Sequence, residues 1–519
     1  MHTRALTPAL LTGAVITSVI SIAIYAQSSG AATWTMAGSD VTNSRSQPME
    51  ARISASNVSS LTTKWTFQTG GDVSATPAVG PNAVYITDWA GGIYAIRKDT
   101  GVRIWGVPVS NFDGFPKALS RVTPALHGND IIFGDLESSS ALHDGARIIA
   151  LSQADGSLHW MTQVEKNGAA IITGSPVVVG DVVIVGVSSN EESLADQTGY
   201  VCCTFRGSLV ALDANTGNVL WQTYTVPDNG GKTGGYSGGA IWQPPAIDVA
   251  KGIVYVGTGN NYSVPDSVET CQAEVSAGMA NSCLDATDYF DSVLAVNLKT
   301  GAILWSKQLQ GYDTWTVACA NLKEGTTCPS PAGPDYDLSG SGPNLVPGMV
   351  GFGQKSGTFW ALDPSSGDIQ WSTNVGPGST LGGMEWGTAT DGAQIYVAIT
   401  NSLHNAYKTA RGGPEITWGS WAALDIATGE IVWQTPDPSK GAIDPGAVSV
   451  ANGVVYAGSF SGSMYAMDAK TGKVLWSFDS GGSVIDGPAI ADGVVYWGSG
   501  YGHIKPGKSN NKVYAFSIN

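Results

Sequence analysis

The sequence predicts an all-β protein that folds as one eight-bladed β-propeller. The first observation is a short phrase, a small residue followed at fixed spacing by Asp, Thr-Gly and Trp with variations, which recurs seven times. The second is that strand-like runs such as PAVGPNAVYITD precede the copies, so that each unit holds about four strands. The third is the spacing of the final tryptophans, whose shortest interval of 43 residues is near the length of one four-stranded blade. The copies span 95–105, 150–160, 211–221, 295–305, 361–371, 423–433 and 466–476.

Each copy predicts a β-hairpin, because its alternating apolar residues flank a turn in which glycine takes the positive φ that the turn requires. Longer intervals indicate blades with inserted loops, and the longest lies between Trp221 and Trp305. The chain ends with the inner strands of a further blade but without its Trp strand, and LTTKWTFQTG near the start supplies that strand with Trp65. We therefore expect the N-terminal strand to close the last blade, giving eight blades in one domain over residues 33–519.

Composition and charge exclude one class of partner. The chain has 519 residues, 67 of them Gly, and only 13% are charged, which suits a turn-rich fold with a large apolar core. The formal net charge is −16, and such a surface repels phosphate backbones, so a nucleic-acid partner is not expected. A basic electron-transfer partner or a neutral substrate suits this charge better.

The N-terminal segment predicts export. Arg4 precedes an apolar run from about Leu10 to Tyr25, and small residues follow, which is typical of a secretory signal over residues 1–32. The alternative is an uncleaved membrane anchor, because the apolar run is long for a signal. The signal interpretation predicts a secreted or periplasmic protein with no stable membrane insertion after cleavage.

Six cysteines in an exported chain indicate disulfides, and sequence alone allows 15 pairings. Proximity favours Cys271 with Cys283 and Cys319 with Cys328. That leaves Cys202 and Cys203, which are neighbours in VCCTFRG, with each other.

The repeated phrase resembles the tryptophan-docking motif of quinoprotein alcohol dehydrogenases, which bind pyrroloquinoline quinone (PQQ). The resemblance covers nearly all of residues 33–519. Non-enzymatic propellers that scaffold outer-membrane assembly carry similar repeats, so the choice between enzyme and scaffold depends on residues that the fold does not need.

The resemblance implies two platforms for a flat cofactor. Trp242 in GGAIWQPPAID matches the tryptophan on the floor of the family's site. In PQQ alcohol dehydrogenases a ring formed by neighbouring cysteines lies on the other face, which implies that role for Cys202 and Cys203. In methanol-type members the cysteine pair precedes the glutamate ligand by more than a blade, whereas here it follows GVSSNEE by about ten residues. The alternative is an ordinary disulfide, or two thiols, in a loop.

Other cofactor contacts follow from the same resemblance. Thr173 and Ser188 match side chains that contact PQQ, and Lys355 in GQKSGTFWALD matches the basic residue that hydrogen-bonds the quinone oxygens. The remaining candidates are Arg206, for a cofactor carboxylate or a structural role, and Glu385 and Trp386 in GGMEWG, where the family often has Asn-Trp.

A cation that polarises the quinone needs oxygen ligands, and the resemblance implies Glu191 and Asn260. Glu192 competes with Glu191 and is interpreted as a solvated loop charge. Asp335 in GPDYDLSG matches the catalytic base, which would take the proton of the substrate hydroxyl, and it is also a candidate metal ligand beside Glu191 and Asn260. Asp337 gives the Asp-Tyr-Asp pattern of lanthanide-using members, or else is a surface charge. We expect calcium, with a lanthanide as the alternative.

The order GVSSNEE, CCTFRG, GGAIWQPPAID and YVGTGNNYSVP is most similar to that of polyvinyl alcohol dehydrogenases. This implies an exported PQQ- and metal-dependent alcohol dehydrogenase that oxidises secondary hydroxyls to ketones. The sequence contains no CxxCH, so no covalent haem is expected and electrons would pass to a separate acceptor such as a cytochrome c. The competing interpretation is a non-catalytic propeller that binds proteins or glycans.

Overall fold

The computed structural model describes Met1 and residues 32–137, 142–275, 283–338 and 340–518. The predicted signal, residues 1–32, lies outside these ranges apart from its first and last residues. Across the ranges given, no helix is both long and apolar enough to cross a bilayer.

The strands form eight antiparallel blades, as predicted. In blades 1 to 4 the strands are Ala78–Val79, Ala83–Thr87, Gly92–Arg97 and Arg103–Pro108; Ala125–His127, Asp130–Gly134, Ala146–Ser152 and Leu158–Glu165; Val177–Val179, Val182–Ser189, Ser208–Asp213 and Val219–Tyr224; and Ala246–Asp248, Ile253–Gly257, Ser292–Asn297 and Ile303–Gln308. In blades 5 to 8 they are Ser341–Val346, Met349–Gly353, Thr358–Leu362 and Ile369–Asn374; Ala389–Thr390, Gln394–Ile399, Ser420–Asp425 and Ile431–Pro436; Val448–Ala451, Val454–Gly458, Ser463–Asp468 and Val474–Asp479; and Ala489–Ala491, Val494–Ser499, Lys512–Ser517 and Thr62–Gln68.

Short elements decorate the connections between these strands. Two-stranded ladders pair Ala118–Leu119 with Leu136–Glu137, Ser237–Gly238 with Asn261–Ser263, and Tyr407–Lys408 with Glu415–Ile416. The short strand Ala170–Ile171 pairs with the second strand of blade 3. The helices are a 3-10 turn at Val58–Ser60 and the α-helices α1 (Ser110–Asp113), α2 (Glu191–Leu194), α3 (Asp266–Glu274) and α4 (Ala318–Asn321). All three proposed disulfides are present.

The ring closes as the sequence predicts. The N-terminal strand Thr62–Gln68 pairs antiparallel with Lys512–Ser517 and completes blade 8. The outer-strand tryptophans then link neighbouring blades, because each indole N–H donates to a backbone carbonyl of the next blade. The bonds run from Trp65 to Lys98, Trp105 to Gln153, Trp160 to Ala214, Trp221 to Leu298, Trp305 to Pro364, Trp371 to Ile426, Trp433 to Ala469 and Trp476 to Leu61, over 2.9–3.3 Å.

The glycine of each hairpin turn is required by this docking. Gly217 has a φ of +73°, and a Cβ at this position would lie 2.4 Å from Cε3 of Trp160. Both the positive φ and the contact with the ring exclude a side chain. The Thr-Gly turn therefore serves the contact between blades as well as the hairpin itself.

A segment near the N-terminus, residues 34–46, lies against the innermost strands. Its backbone bonds in turn to blades 1, 2, 4, 5, 6 and 7. The pairs are Trp34 with Val79, Thr35 with Leu126, Val41 with Ile247, Thr42 with Leu345, Ser44 with Thr390 and Ser46 with Val450. This segment therefore ties together blades that are distant in sequence, a role that the sequence analysis did not anticipate.

The two ends of the blades differ. One end carries the short turns between the first and second strands and between the third and fourth, and we call it the turn face. The other end carries the connections between the second and third strands and from one blade to the next, and we call it the site face. Several of its connections are much longer than the turns of the turn face, as in residues 190–207 of blade 3 and 258–291 of blade 4.

Candidate active site

The side chains that the sequence assigns to a site lie in connections of the site face or at the strand ends that lead into them. Ser188 is the last but one residue of the second strand of blade 3, Val182–Ser189, and Asn260 follows the second strand of blade 4. Trp242 precedes the first strand of blade 4, and Lys355 lies in the turn between the second and third strands of blade 5. Because these connections converge above the axis of the ring, residues from several blades meet in one place.

The meeting place is a cavity of about 200 Å³. Eight of the predicted site residues line it: Thr173, Ser188, Trp242, Asn260, Asp337, Lys355, Glu385 and Trp386.

A buried lysine lies at the centre of the acidic side of this cavity. Nζ of Lys355 is 2.9 Å from Oδ1 of Asp335 and 2.9 Å from Oδ2 of Asp337, and all three side chains are buried. Burial alone would lower the pKa of Lys355, but the two aspartates hold it well above its usual value. The same Nζ lies 5.6 Å from the ring centroid of Trp242. Lys355 therefore stays charged at the edge of the flat surface that Trp242 provides.

Asp337 ties the floor of the cavity to the predicted metal ligand. Its Oδ1 accepts the backbone N–H of Asn260 at 2.7 Å, and its Oδ2 accepts the indole N–H of Trp242 at 3.3 Å. The amide nitrogen of Asn260 donates to the carbonyls of Asn261 and Trp315, both at 2.9 Å. These two bonds fix the amide of Asn260, and its oxygen is the atom left to bind a cation.

Asp335 approaches the cavity through its contact with Lys355. Its backbone φ of +59° is unusual for a residue with a side chain. The carboxylate of Asp313 stabilises this conformation, because it accepts the backbone N–H groups of Asp335 at 2.9 Å and of Tyr336 at 2.7 Å. Burial and then Asp337 raise the pKa of Asp335, against the influence of Lys355. The sequence analysis missed Asp313, although its position in GYDTW, between the aromatic residues Tyr312 and Trp315, is compatible with a buried carboxylate that needs a partner.

The structure corrects the choice between the two glutamates of α2. Glu191 points away from the cavity, and its carboxylate accepts bonds from Tyr200 Oη at 3.0 Å and from the N–H groups of Thr204 and Phe205 at 2.8 and 2.7 Å. It holds the following loop in place. Glu192 lines the cavity instead, and its Oε1 is buried without a hydrogen-bond partner within the described ranges. Burial raises the pKa of Glu192 to about 7. Of the two neighbouring glutamates, Glu192 is therefore the one whose position would allow it to bind a cation in the cavity.

The neighbouring cysteines form their disulfide across a cis peptide bond. Of the residues that the structure describes, neither Cys202 nor Cys203 lines the cavity. Cys203 is buried in the core cluster that also holds Phe205 and Tyr262, and Tyr262 does line the cavity. The stacking of the cysteine ring on a cofactor stays a prediction.

Arg206 lies outside this cavity, which corrects its assignment to a cofactor carboxylate. Its Nη2 donates to the carbonyl of Val226 at 2.9 Å, and its Cζ lies 4.1 Å from the ring centroid of Tyr224. These contacts hold the guanidinium in a second cavity beside the first.

Arg121 is the arginine that lines the active-site cavity. Its Cζ lies 5.3, 5.7 and 5.5 Å from the ring centroids of Trp89, Trp386 and Tyr501. An arginine in this position can bind an anionic group in the cavity. The sequence analysis missed it, since ALSRVTPAL carries neither the repeat nor a family motif.

Three predicted residues complete the lining. The hydroxyls of Thr173 and Ser188 are 2.8 Å apart, so that together they present one donor and several acceptors. Glu385 is buried, its Oε1 has no partner in the part of the chain that the structure describes, and burial raises its pKa to about 8. A protonated Glu385 can donate a hydrogen bond, which suits a position where the family often has Asn.

Comparisons with known proteins agree with this architecture. A family profile described as "Outer membrane protein assembly factor BamB" matches residues 21–307 and 419–519. The polyvinylalcohol dehydrogenase of Sphingopyxis sp. (strain 113P3) is 33% identical over 93% of this chain and 76% of its own length. The polyvinylalcohol dehydrogenase of a Pseudomonas species is 31% identical over 93% and 77%.

Solved structures show the same fold. The quinohemoprotein alcohol dehydrogenase of Comamonas testosteroni aligns with a TM-score of 0.68 at 21% identity, covering 94% of this chain and 80% of its own. A europium-containing methanol dehydrogenase aligns with a TM-score of 0.65 at 20% identity, covering 94% and 98%. The predicted fold and family are thus confirmed, and the chain belongs to the propeller family of this profile and, within it, to the quinoprotein alcohol dehydrogenases of the polyvinyl alcohol dehydrogenase type.

Proposed function

We propose that the chain is a PQQ- and cation-dependent alcohol dehydrogenase that oxidises secondary hydroxyls of polyvinyl alcohol or a similar polyol to ketones. The observation that supports this best is the contact of Lys355 with Asp335 and Asp337, beside the tryptophan surface of Trp242. Burying charged side chains around a cavity costs folding free energy. A protein that served only as a scaffold would gain nothing from that cost, whereas an enzyme can use these side chains to bind a ligand.

The residues present fit a cation and an anionic aromatic cofactor. Four carboxyl groups, those of Glu192, Asp335, Asp337 and Glu385, surround a single ammonium group. A bound cation would favour their ionised forms, so this side of the cavity can supply the negative charge that a cation needs. Two of these carboxyls have an oxygen without a partner in the described residues. Within the same residues, no set of three His, Cys, Asp or Glu side chains could hold a metal ion by itself. The cation therefore needs the amide of Asn260 and oxygens of the cofactor in addition to carboxylates.

The side chains of the cavity then have separate roles in binding and catalysis. PQQ, when bound, supplies the quinone that accepts a hydride from the carbinol carbon. Asp335 accepts the proton of the substrate hydroxyl as general base. Lys355 stays protonated and donates hydrogen bonds, Trp242 provides the flat surface, and Arg121 binds carboxylate. Glu192 and Asn260 hold the cation, calcium or a lanthanide, with Asp337 as a further ligand.

We also propose a substrate, a location and an electron acceptor for the enzyme. Relatives that are 33% and 31% identical are named polyvinylalcohol dehydrogenases, which supports a polymeric secondary alcohol as substrate. We further propose an exported enzyme, on the signal-like start of the chain. The absence of CxxCH from the printed sequence supports a separate electron acceptor, such as a cytochrome c, in place of a haem of its own.

A titration of the purified propeller tests this function. PQQ is added with calcium, with lanthanum and with neither, and absorbance and melting temperature are followed. We expect a cation-dependent rise in melting temperature together with a bound quinone spectrum, since ligands that bind only the folded state stabilise it. Dye reduction with secondary alcohols and polyvinyl alcohol then measures turnover. A flat response with both cations contradicts the proposal and favours a non-catalytic scaffold.

A further inference from the structure

A second cavity, of about 440 Å³, opens on the site face beside the active-site cavity. Three connections of the site face supply its walls: the one between blades 2 and 3, the one within blade 3, and the one between blades 3 and 4. The residues used below are Glu165, Lys166, Asn167, Thr204, Arg206, Tyr224 and Asp228.

One loop separates the two cavities. Glu192, at the start of this loop, lines the active-site cavity, and Thr204, near its end, lines the second. The loop is fixed because the backbone N–H of Thr204 donates to Glu191 at 2.8 Å and the side-chain amide of Asn167 donates to Oγ1 of Thr204 at 3.0 Å. A flexible chain molecule that crosses this loop can therefore occupy both cavities.

The lining of the second cavity suits neutral hydroxyl groups. Lys166 and Arg206 are balanced by Glu165 and Asp228, so neither an anion nor a cation is favoured. A hydroxyl both donates and accepts hydrogen bonds, and this lining offers both kinds of partner. The guanidinium of Arg206 lies over the ring of Tyr224, with Cζ 4.1 Å from the ring centroid, and forms a flat surface for the carbon backbone of such a chain.

We propose that this cavity, which we call the polyol subsite, binds hydroxyl groups of a polyhydroxylated chain at a distance from the hydroxyl that is oxidised. The inference rests on the proposed function and deepens it, since a subsite of this kind makes the enzyme selective for polymers over small alcohols. Arg206 is its central residue, because it contacts both Tyr224 and Asp228.

The experiment compares a monohydric secondary alcohol, 2-butanol, with polyvinyl alcohol, using the holoenzyme loaded with PQQ and cation. We expect Arg206→Gln to raise KM for polyvinyl alcohol by about 5- to 10-fold, the size of the loss of about one net hydrogen bond, and to leave kcat/KM for 2-butanol within about 2-fold. The matched control is Arg411→Gln, an exposed arginine of the site face in blade 6. It should change neither substrate's kinetics.

The outcomes separate the subsite from the function. Wild-type enzyme that oxidises neither alcohol contradicts the proposed function. Wild-type activity with an unchanged KM for polymer in Arg206→Gln overturns the subsite alone, as does an equal loss for both substrates. Should Arg206→Gln fail to fold, Asp228→Asn replaces it, because this exposed carboxylate lines the same cavity and contacts Arg206. An unchanged polymer KM in that variant likewise overturns the subsite.

Discussion

The turn face and the site face are opposite ends of the same strands, but their polar side chains differ in whether they have hydrogen-bond partners. On the turn face the aspartates of the repeated hairpin turns have local partners, as where Asp213 accepts the backbone N–H groups of Asn215 and Thr216 at 3.0 and 2.9 Å. On the site face, among the residues described, Glu192 and Glu385 each bury an oxygen without a partner. The comparison teaches that one end of the blades supplies stability, while the other keeps binding capacity at a cost in stability.

The largest expected effect is at the proposed base. We expect Asp335→Asn to lower kcat by about 10²- to 10⁴-fold, since the amide cannot accept the substrate proton, with PQQ binding retained. Stopped-flow reduction of bound PQQ by 2-butanol measures this step. The matched control on the turn face is Asp363→Asn, whose carboxylate accepts the N–H groups of Ser365 and Ser366 at 2.7 and 3.2 Å. It should lower the melting temperature and spare kcat. Full activity of Asp335→Asn would mean that another group is the base.

The neighbouring glutamates of α2 sharpen the comparison within a single turn. Glu192→Gln should raise the cation concentration for half-maximal activity by about 10- to 100-fold, because it removes a charged ligand. Glu191→Gln should instead destabilise the fold by about 1–3 kcal/mol, because it disrupts the bonds to the loop that holds Thr204 and Phe205. Calcium titrations of activity and melting curves of both variants separate the two effects. A reversal of the two phenotypes would restore Glu191 as the ligand.

A glycine pair tests the turn face. Gly217→Ala would place a Cβ 2.4 Å from the Trp160 ring at a φ of +73°, whereas at Gly252 (φ +66°) no atom lies within 4 Å of the added Cβ. We expect a loss of about 2–3 kcal/mol for Gly217→Ala and about 1 kcal/mol for Gly252→Ala, where only the positive φ is unfavourable. Urea unfolding measures both. Equal losses would show that the Trp–Gly contact adds nothing to the stability of the ring.

The same division explains what the sequence could predict. The turn face repeats, so Gly217 and Trp160 were assigned from spacing alone, and the eight blades followed. The site face does not repeat, and α2 is a single turn in which the adjacent Glu191 and Glu192 face opposite ways. Which one faces the cavity depends on the N–H groups of the loop after α2, and no local pattern encodes that.

The two arginines show the other limit of prediction. Arg206 follows the conspicuous cysteine pair, and the sequence left open whether it binds a cofactor carboxylate or has a structural role; its contact with Tyr224 holds it in the second cavity. Arg121 has no marker in its own sequence and enters the active-site cavity through aromatic neighbours contributed by other blades. Long-range packing decides both cases, whereas Trp242, Asn260 and Lys355 were placed in the cavity by family motifs.

The smallest expected effect tests whether buried carboxyls are unfavourable outside the active site too. Asp486 lies in a site-face connection, its Oδ2 accepts the N–H of Gly498 at 3.0 Å, and its Oδ1 has no partner among the residues of the described ranges. Burial raises its pKa to about 8, with Arg45 opposing. The folded protein thus keeps a proton that the unfolded chain releases near pH 4, so this group makes stability fall as pH rises from about 4 to 8.

An asparagine side chain does not titrate, so the Asp486→Asn variant should lose less folding stability than the wild type as the pH rises. We expect the difference in melting temperature between pH 5 and pH 8 to be smaller in the variant by about 2–4 °C, measured by calorimetry without added PQQ. Parallel melting curves for wild type and variant would mean that Asp486 is ionised in the folded protein. A buried carboxyl without a hydrogen-bond partner would then lower stability only in the active site. The two faces would differ because of the function of the active site, and burial of a carboxyl elsewhere on the site face would carry no such loss.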